Sequence, residues 1–180
     1  MDRITQGHIL IDLIKNSNGK IQRVAEIGVW KSHTTKRVLK SCSDIISQYW
    51  AVDFWQYSER RKYRSRTPEF WDELYFRVCR LMCWFPQLHV LRMDSLMAAG
   101  LFSERYFDLV FIDADHSYDS VIADIKAWMP LIRDGGLLTG HDYGGKHPGV
   151  KRAVDEIFGE GIEILPPEGV WVKKVEDNGI

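Results

Sequence analysis

The most constraining feature of this chain is an alternation. Short apolar runs are separated by stretches whose apolar residues recur at helical spacing. Residues 21–27, 48–54, 88–93, 107–112 and a segment starting at 137–139 read as strands. Residues 4–16, 33–42, 69–85, 95–101, 118–132 and 149–158 read as helices. Pro68 stands just before the long third helix, where its missing N–H costs nothing. Gly135-Gly136 reads as a break between the fifth helix and its strand. Segments 162–165 and 170–175 flank Pro166-Pro167-Glu168-Gly169 and read as a closing hairpin. Parallel neighbours need crossover helices, so this order implies an α/β fold with helices on both faces of a mainly parallel sheet. The hairpin adds one antiparallel strand and brings the total to about seven. A length of 180 residues without linker or repeat suits a single domain over 1–180, with an N-terminal helix in 1–20 and a core over 21–175.

In such sheets ligands bind beyond the carboxyl ends of the strands. What lies there is unusually acidic. Glu26-Ile27-Gly28-Val29 closes the first strand, Asp53 the second and Asp94-Ser95 the third. Asp113, Asp115 and His116 follow the fourth, and His141-Asp142 the fifth. Helix caps explain one or two of these acids, and Asp115 reads more readily as a cap or positioning residue than as a ligand. They do not explain the whole set. A dinucleotide site needs a Gly-x-Gly-x-x-Gly turn after the first strand, and only Gly28 is present. Without that phosphate cradle, a carboxylate at the turn favours a ligand with a cationic part. Asp53, 25 residues after Gly28, can accept hydrogen bonds from ribose hydroxyls. A cationic, ribose-bearing cofactor is S-adenosylmethionine.

The stretches VAEIGV (24–29), VDFW (52–55), MDS (93–95), FIDADHSYDSVIADI (111–125) and GGLLTGHDYGGKHPGVKRAVDEIF (135–158) resemble class I S-adenosylmethionine-dependent methyltransferases. The likeness is strongest to the group related to macrocin and other sugar or antibiotic O-methyltransferases. It is more distant to catechol O-methyltransferase. The resemblance spans roughly residues 20–175 and implies a Rossmann-like seven-stranded sheet, order 3-2-1-4-5-7-6, with strand 7 antiparallel. It implies that Glu26, Gly28 and Val29 line the methionine end of the cofactor. Asp53 would hold the ribose, and Asp94 and Ser95 would sit at the adenine. Ser32 stands where the family usually has glycine, and its side chain would either crowd the cofactor or hydrogen-bond it. In metal-dependent relatives an aspartate follows strand 4 and an acid or amide pair follows strand 5. Asp113 and the pair His141-Asp142 take those positions, with Asp113 and Asp142 as the expected oxygen ligands of Mg²⁺ or Mn²⁺; His141 breaks the all-oxygen pattern and would ligate a softer ion or act beside the metal. His116 falls where catechol relatives carry a catalytic lysine. It reads as a base titrating near neutrality, or as a cap bonded to Asp113. The expected catalytic residues are thus Asp113, His116 and His141.

Composition narrows the partners. A formal charge of −1 argues against nucleic acid or an anionic membrane surface as a partner. No apolar stretch is long enough for a membrane span, and the N-terminus lacks a signal-peptide pattern, so a cytoplasmic protein is expected. Cys42, Cys79 and Cys83 read as packing thiols. The expected acceptor is a small polar molecule. The basic run 59–66 is either a solvated loop or a patch for an anionic acceptor. Trp30, Phe54, Trp55, Tyr57 and Tyr143 read as a substrate or adenine wall, or as core. His147 lies in a glycine-rich loop. A homodimer would add substrate wall to so small a core. Two other readings stay open: a degenerate methyltransferase fold that binds without turnover, and a nicotinamide-dependent oxidoreductase, which the missing glycines disfavour.

Overall fold

The computed structural model describes residues 5–56, 65–167 and 169–176. The strands are β1 (Arg23–Ile27), β2 (Gln48–Asp53), β3 (Leu88–Arg92), β4 (Phe107–Ile112), β5 (Ile132–Gly140), β6 (Glu163–Leu165) and β7 (Val170–Lys174). The α-helices are α1 (Gln6–Asn16), α2 (His33–Cys42), α3 (Pro68–Cys79), α4 (Ser95–Ala99), α5 (Tyr118–Trp128) and α6 (Pro148–Phe158). One sheet runs β3-β2-β1-β4-β5-β7-β6. Its first five strands pair in parallel, and β7 runs antiparallel to both β5 and β6. This is the order and the strand sense that the sequence led us to expect.

Side chains alternate across the sheet and build two cores. Leu109 and Phe111 of β4 join Val24, Tyr49 and Leu88 under α1, α2 and α3. Val110 and Ile112 face the other way, with Ala25, Val52 and Leu138 under α4, α5 and α6. Every residue of β4 is buried, which is why the strand reads as an unbroken apolar run. Its one charge, Asp108, accepts from the backbone N–H groups of Gln22 (2.8 Å) and Arg23 (2.7 Å) and pairs with Arg133. These bonds tie the amino ends of β1, β4 and β5 together, away from the acidic edge.

Three boundaries differ from the sequence reading. The long helix ends at Cys79 and continues as a 3₁₀ turn, Arg80–Cys83, so Cys79 and Cys83 do not share a helix face, and Cys83 is exposed. The fifth helix gives way to a 3₁₀ turn at Met129–Leu131, where Pro130 has no N–H to continue the ladder. Strand β5 starts at Ile132 and runs through Gly135-Gly136. A Cβ at Gly136 would lie 2.6 Å from Ile132 Cγ2 and 2.8 Å from the carbonyl oxygen of Asp108. The glycine is therefore needed for close strand approach at a register shift, and is no breaker. Among the described residues no helix is long and apolar enough to cross a membrane.

Candidate active site

The carboxyl ends of β1 and β4 meet at Gly28, which has φ +90°. The amide of Gly28 donates to Val52 O (2.9 Å) and that of Asp113 to Ile27 O (2.7 Å), so the ladder runs past the strand ends. Trp30 and Ser32 also have positive φ (51° and 59°). Left-handed backbone at two side-chain-bearing residues costs about 1–2 kcal/mol each, so something must hold this loop. Asp53 does: its Oδ2 accepts from the amides of Val29 (2.9 Å) and Trp30 (2.8 Å), and its Oδ1 from Trp55 (2.9 Å). The indole of Trp55 donates to Trp30 O (3.0 Å). Burial raises the carboxyl pKa of Asp53, and these backbone donors work against that shift.

Along this edge runs a cleft of about 750 Å³. Gly28, Trp30, Asp53, Asp94, Ser95, Asp113 and His116 all line it. Its volume and its series of polar groups fit a nucleoside-bearing ligand. Asp94 caps α4, accepting from the amides of Leu96 (2.9 Å) and Met97 (3.4 Å). The hydroxyl of Ser95 donates to Asp124, a buried acid whose pKa burial pushes up to about 6. Asp124 also lines the cleft. It was missed in the sequence because it lies on the apolar face of α5, among Val121, Ile125 and Trp128. Trp71 of α3 and Met93 were missed for the same reason, as residues of apolar segments. Of the expected aromatic wall, Trp30, Phe54 and Trp55 line the cleft. Tyr143 does not, and its hydroxyl donates to Asp155 (2.6 Å). Tyr57 and residues 59–64 of the basic run fall outside the described residues.

Three expected cofactor contacts are placed elsewhere. Val29 is buried in the core under α1–α3. Ser32 is buried as the residue before α2, with its hydroxyl turned to Lys31 O (2.6 Å), so it does not crowd the cleft. Glu26 shares a face with Val24 and is sealed beneath α2, 2 % exposed. It accepts from the hydroxyls of Thr35 (2.5 Å) and Tyr49 (2.7 Å). Burial pushes its pKa up to about 8. The folded protein thus binds a proton that the unfolded chain releases above about 4.5. The stability this gives is full below that pH and falls as pH rises through about 8, by up to about 1.4 kcal/mol per unit. Glu26→Gln keeps the acceptor oxygen without the charge. Chemical denaturation between pH 5 and 8.5 is expected to show a steeper decline in wild type than in the variant. Equal slopes would refute a protonated Glu26.

Beyond Gly28 the cleft reaches the residues after β4, and those after β5 pack against them. Asp115 makes a turn, accepting from the amide of Ser117 (2.7 Å), and Ser117 caps α5. Asp113 and Asp142 converge with two imidazoles. His116 Nε2 lies 2.8 Å from Asp142 Oδ2 and 3.5 Å from Asp113 Oδ1. His141 Nδ1 lies 3.3 Å from Asp142 Oδ2 and 3.7 Å from Asp113 Oδ1. Asp142 is held at φ +64°, a strain of the kind found at working sites. Asp113 and Asp142 hold His116 protonated, raising its pKa to about 9. Burial lowers the pKa of His141, but the same two carboxylates outweigh it and bring the value to about 10. Burial pushes the pKa of both aspartates up, but the imidazoles outweigh it and hold both below the usual carboxylate range. Without an ion, the two carboxylates therefore favour the protonated form of His116 over the free base that the sequence led us to expect.

The donor set passes a test for a divalent ion. Ligands about 2.1 Å from one ion lie about 3–3.5 Å apart, close to the spacings here. The solvent-inaccessible Nε2 of His116 is 2.8 Å from Asp142 without the alignment of a hydrogen bond.

Comparison with known proteins agrees with this geometry. Residues 25–143, more than half the chain, match the family described as methyltransferase domain. No curated protein matches the sequence. The O-methyltransferase NovP is similar in structure, with a TM-score of 0.71 and 17 % identity, covering 95 % of this chain and 79 % of its own. A cofactor-bound protein from MTB aligns with a TM-score of 0.68 and 19 % identity, over 98 % of this chain and 83 % of its own. An O-methyltransferase from Bacillus cereus in complex with SAH gives 0.62 and 17 %, over 97 % and 83 %. With the matched segment running from β1 to the residues after β5, across the whole acidic edge, the chain belongs to the methyltransferase-domain family and is a class I S-adenosylmethionine-dependent methyltransferase.

Proposed function

We propose that this enzyme methylates an oxygen of a small polar acceptor, such as a sugar hydroxyl, with help from a divalent ion. One observation carries the reading: a single cleft extends from Asp94 past Asp53 and Gly28 to Asp113 and His116. In this reading Asp94, Ser95 and Asp124 bind the adenine end. Asp53 binds the ribose with the acceptor capacity its three amides leave. Gly28 and Trp30 flank the methionine portion. Val29 and Ser32 act from below, by fixing the loop that carries them.

A neutral alcohol is a poor nucleophile, so the far end of the cleft must align its oxygen and draw off its proton. Asp113, kept ionised by His116 and His141, orients the acceptor hydroxyl and is a carboxylate placed to accept its proton. His116 and His141 hold Asp113 and Asp142 in place. An ion at this cluster would be held by Asp113, Asp142 and His141, and would supply the Lewis acidity that lowers the pKa of the acceptor hydroxyl. The hydroxyl of Ser32 is turned to Lys31 O and its side chain is buried, so it leaves the cleft open to the cofactor.

Calorimetry with S-adenosylmethionine and with NAD, followed by turnover on a panel of sugar and phenolic acceptors, tests the reading. S-adenosylmethionine is expected to bind, NAD not to, and an O-methylated product to form. Binding without turnover on any hydroxyl acceptor, or turnover only on amines, would overturn it.

A further inference from the structure

The cluster after β4 and β5 holds more nitrogen than an Mg²⁺ site calls for. Two groups of ligand atoms each lie within 4.8 Å of one another: Asp113, His141 and Asp142, and His116, Asp142 and His147. Asp142 belongs to both, so they are two sides of one site. His147 comes from the connection between β5 and α6, directly before Pro148. Its ring stacks on that of His116, centroids 4.2 Å apart and planes 25° from parallel.

We propose that this cluster binds a first-row transition ion of the imidazole-preferring class, Fe²⁺ to Zn²⁺, in preference to Mg²⁺, and that His147 is one of its ligands. The inference rests on the ion-assisted reading above and names the ion and a further ligand. The chemistry is direct. Two carboxylates neutralise a divalent charge, and each imidazole adds a donor without adding charge. Mg²⁺ favours oxygen and keeps its waters, whereas imidazole suits Zn²⁺, Fe²⁺, Cu²⁺ and Ni²⁺. A site built for Mg²⁺ has no use for three imidazoles around two carboxylates. The position of His147 also gives the β5–α6 connection a task. Once on the ion, it ties the amino end of α6 to the carboxyl ends of β4 and β5.

The test uses the full chain after chelator treatment, titrated with Zn²⁺, Co²⁺ and Mg²⁺, and the same series on His147→Ala. One Zn²⁺ or Co²⁺ per chain is expected to bind at least roughly 100-fold more tightly than Mg²⁺. Bound Co²⁺ is expected to give visible absorption bands that change in His147→Ala, and Zn²⁺ affinity there to fall about 10-fold or more. Circular dichroism shows that the variant is folded. Mg²⁺ binding as tightly as Zn²⁺, no ion bound at all, or Co²⁺ bands and Zn²⁺ affinity unchanged in a folded His147→Ala would each overturn the proposal. S-adenosylmethionine binding, measured on the same ion-free samples, separates the two claims. Cofactor bound but no ion taken up defeats the ion inference alone. Failure to bind cofactor defeats the reading of the cleft itself.

Discussion

Gly28→Ala is expected to abolish S-adenosylmethionine binding and to destabilise the fold by more than about 4 kcal/mol, at the severe end for a single substitution. Two effects combine. The residue sits at φ +90°, where a side chain is strained. More important, the added Cβ would lie 2.2 Å from the carbonyl oxygen of Asp113 and 2.6 Å from Ala114 Cα. Both are backbone atoms, and no rotamer change relieves them. The turn after β1 can move only by breaking the bonds from Gly28 N to Val52 O and from Asp113 N to Ile27 O. That would separate Gly28 from Asp53 and Asp113, the residues the cofactor must span. Gly135→Ala is the control. Its φ is +73°, but a Cβ there meets nothing within 4 Å, so it should cost only about 1–2 kcal/mol. Urea denaturation and calorimetry on both variants check this. A Gly28→Ala protein with the wild-type midpoint would mean that the strand ends are not clamped as described.

How much of this was legible in the sequence depended on the range of the forces involved. Local periodicity sufficed for the strands and helices, and resemblance supplied the strand order. The acidic edge was also legible, because each acid directly follows an apolar run. What failed was facing. Glu26 lies in a strand buried on both faces, so alternation gave no sign of which side it took. Its partners Thr35 and Tyr49 are nine and 23 residues away in the chain and meet it only through the pairing of β1 with β2 and the packing of α2. Asp124 hid inside a helical apolar stripe, and Gly135-Gly136 looked like a stop because the closeness of Asp108 is a tertiary fact. The proton affinity of His116 depends on the fold in the same way. A histidine between two carboxylates, one of them 26 residues away in the chain, is a different acid from an isolated one.

That dependence on Asp142 makes Asp113 the decisive position. Asp113→Asn is expected to lower methyl transfer about 10³-fold, the scale seen when one charge-stabilising group is removed from a preorganised site. S-adenosylmethionine affinity should stay within about 3-fold. The separation follows from where the side chain acts. The backbone of Asp113 clamps β1 to β4 and is untouched by the change, so the loop on Asp53 keeps its geometry. The side chain faces His116 and His141 instead, at the far end of the cleft. An amide of the same shape cannot hold the acceptor's proton, and it halves the negative charge that positions the two imidazoles. Asp142→Asn removes the other half and should cost a similar factor. The two losses should not add, because the carboxylates act as one unit across the same imidazole pair. Single-turnover rates for both single variants and the double variant, beside calorimetric cofactor affinities, give the answer. If Asp113→Asn weakens cofactor binding as much as it slows transfer, the residue serves the cofactor, and the far end of the cleft is not where the acceptor is activated.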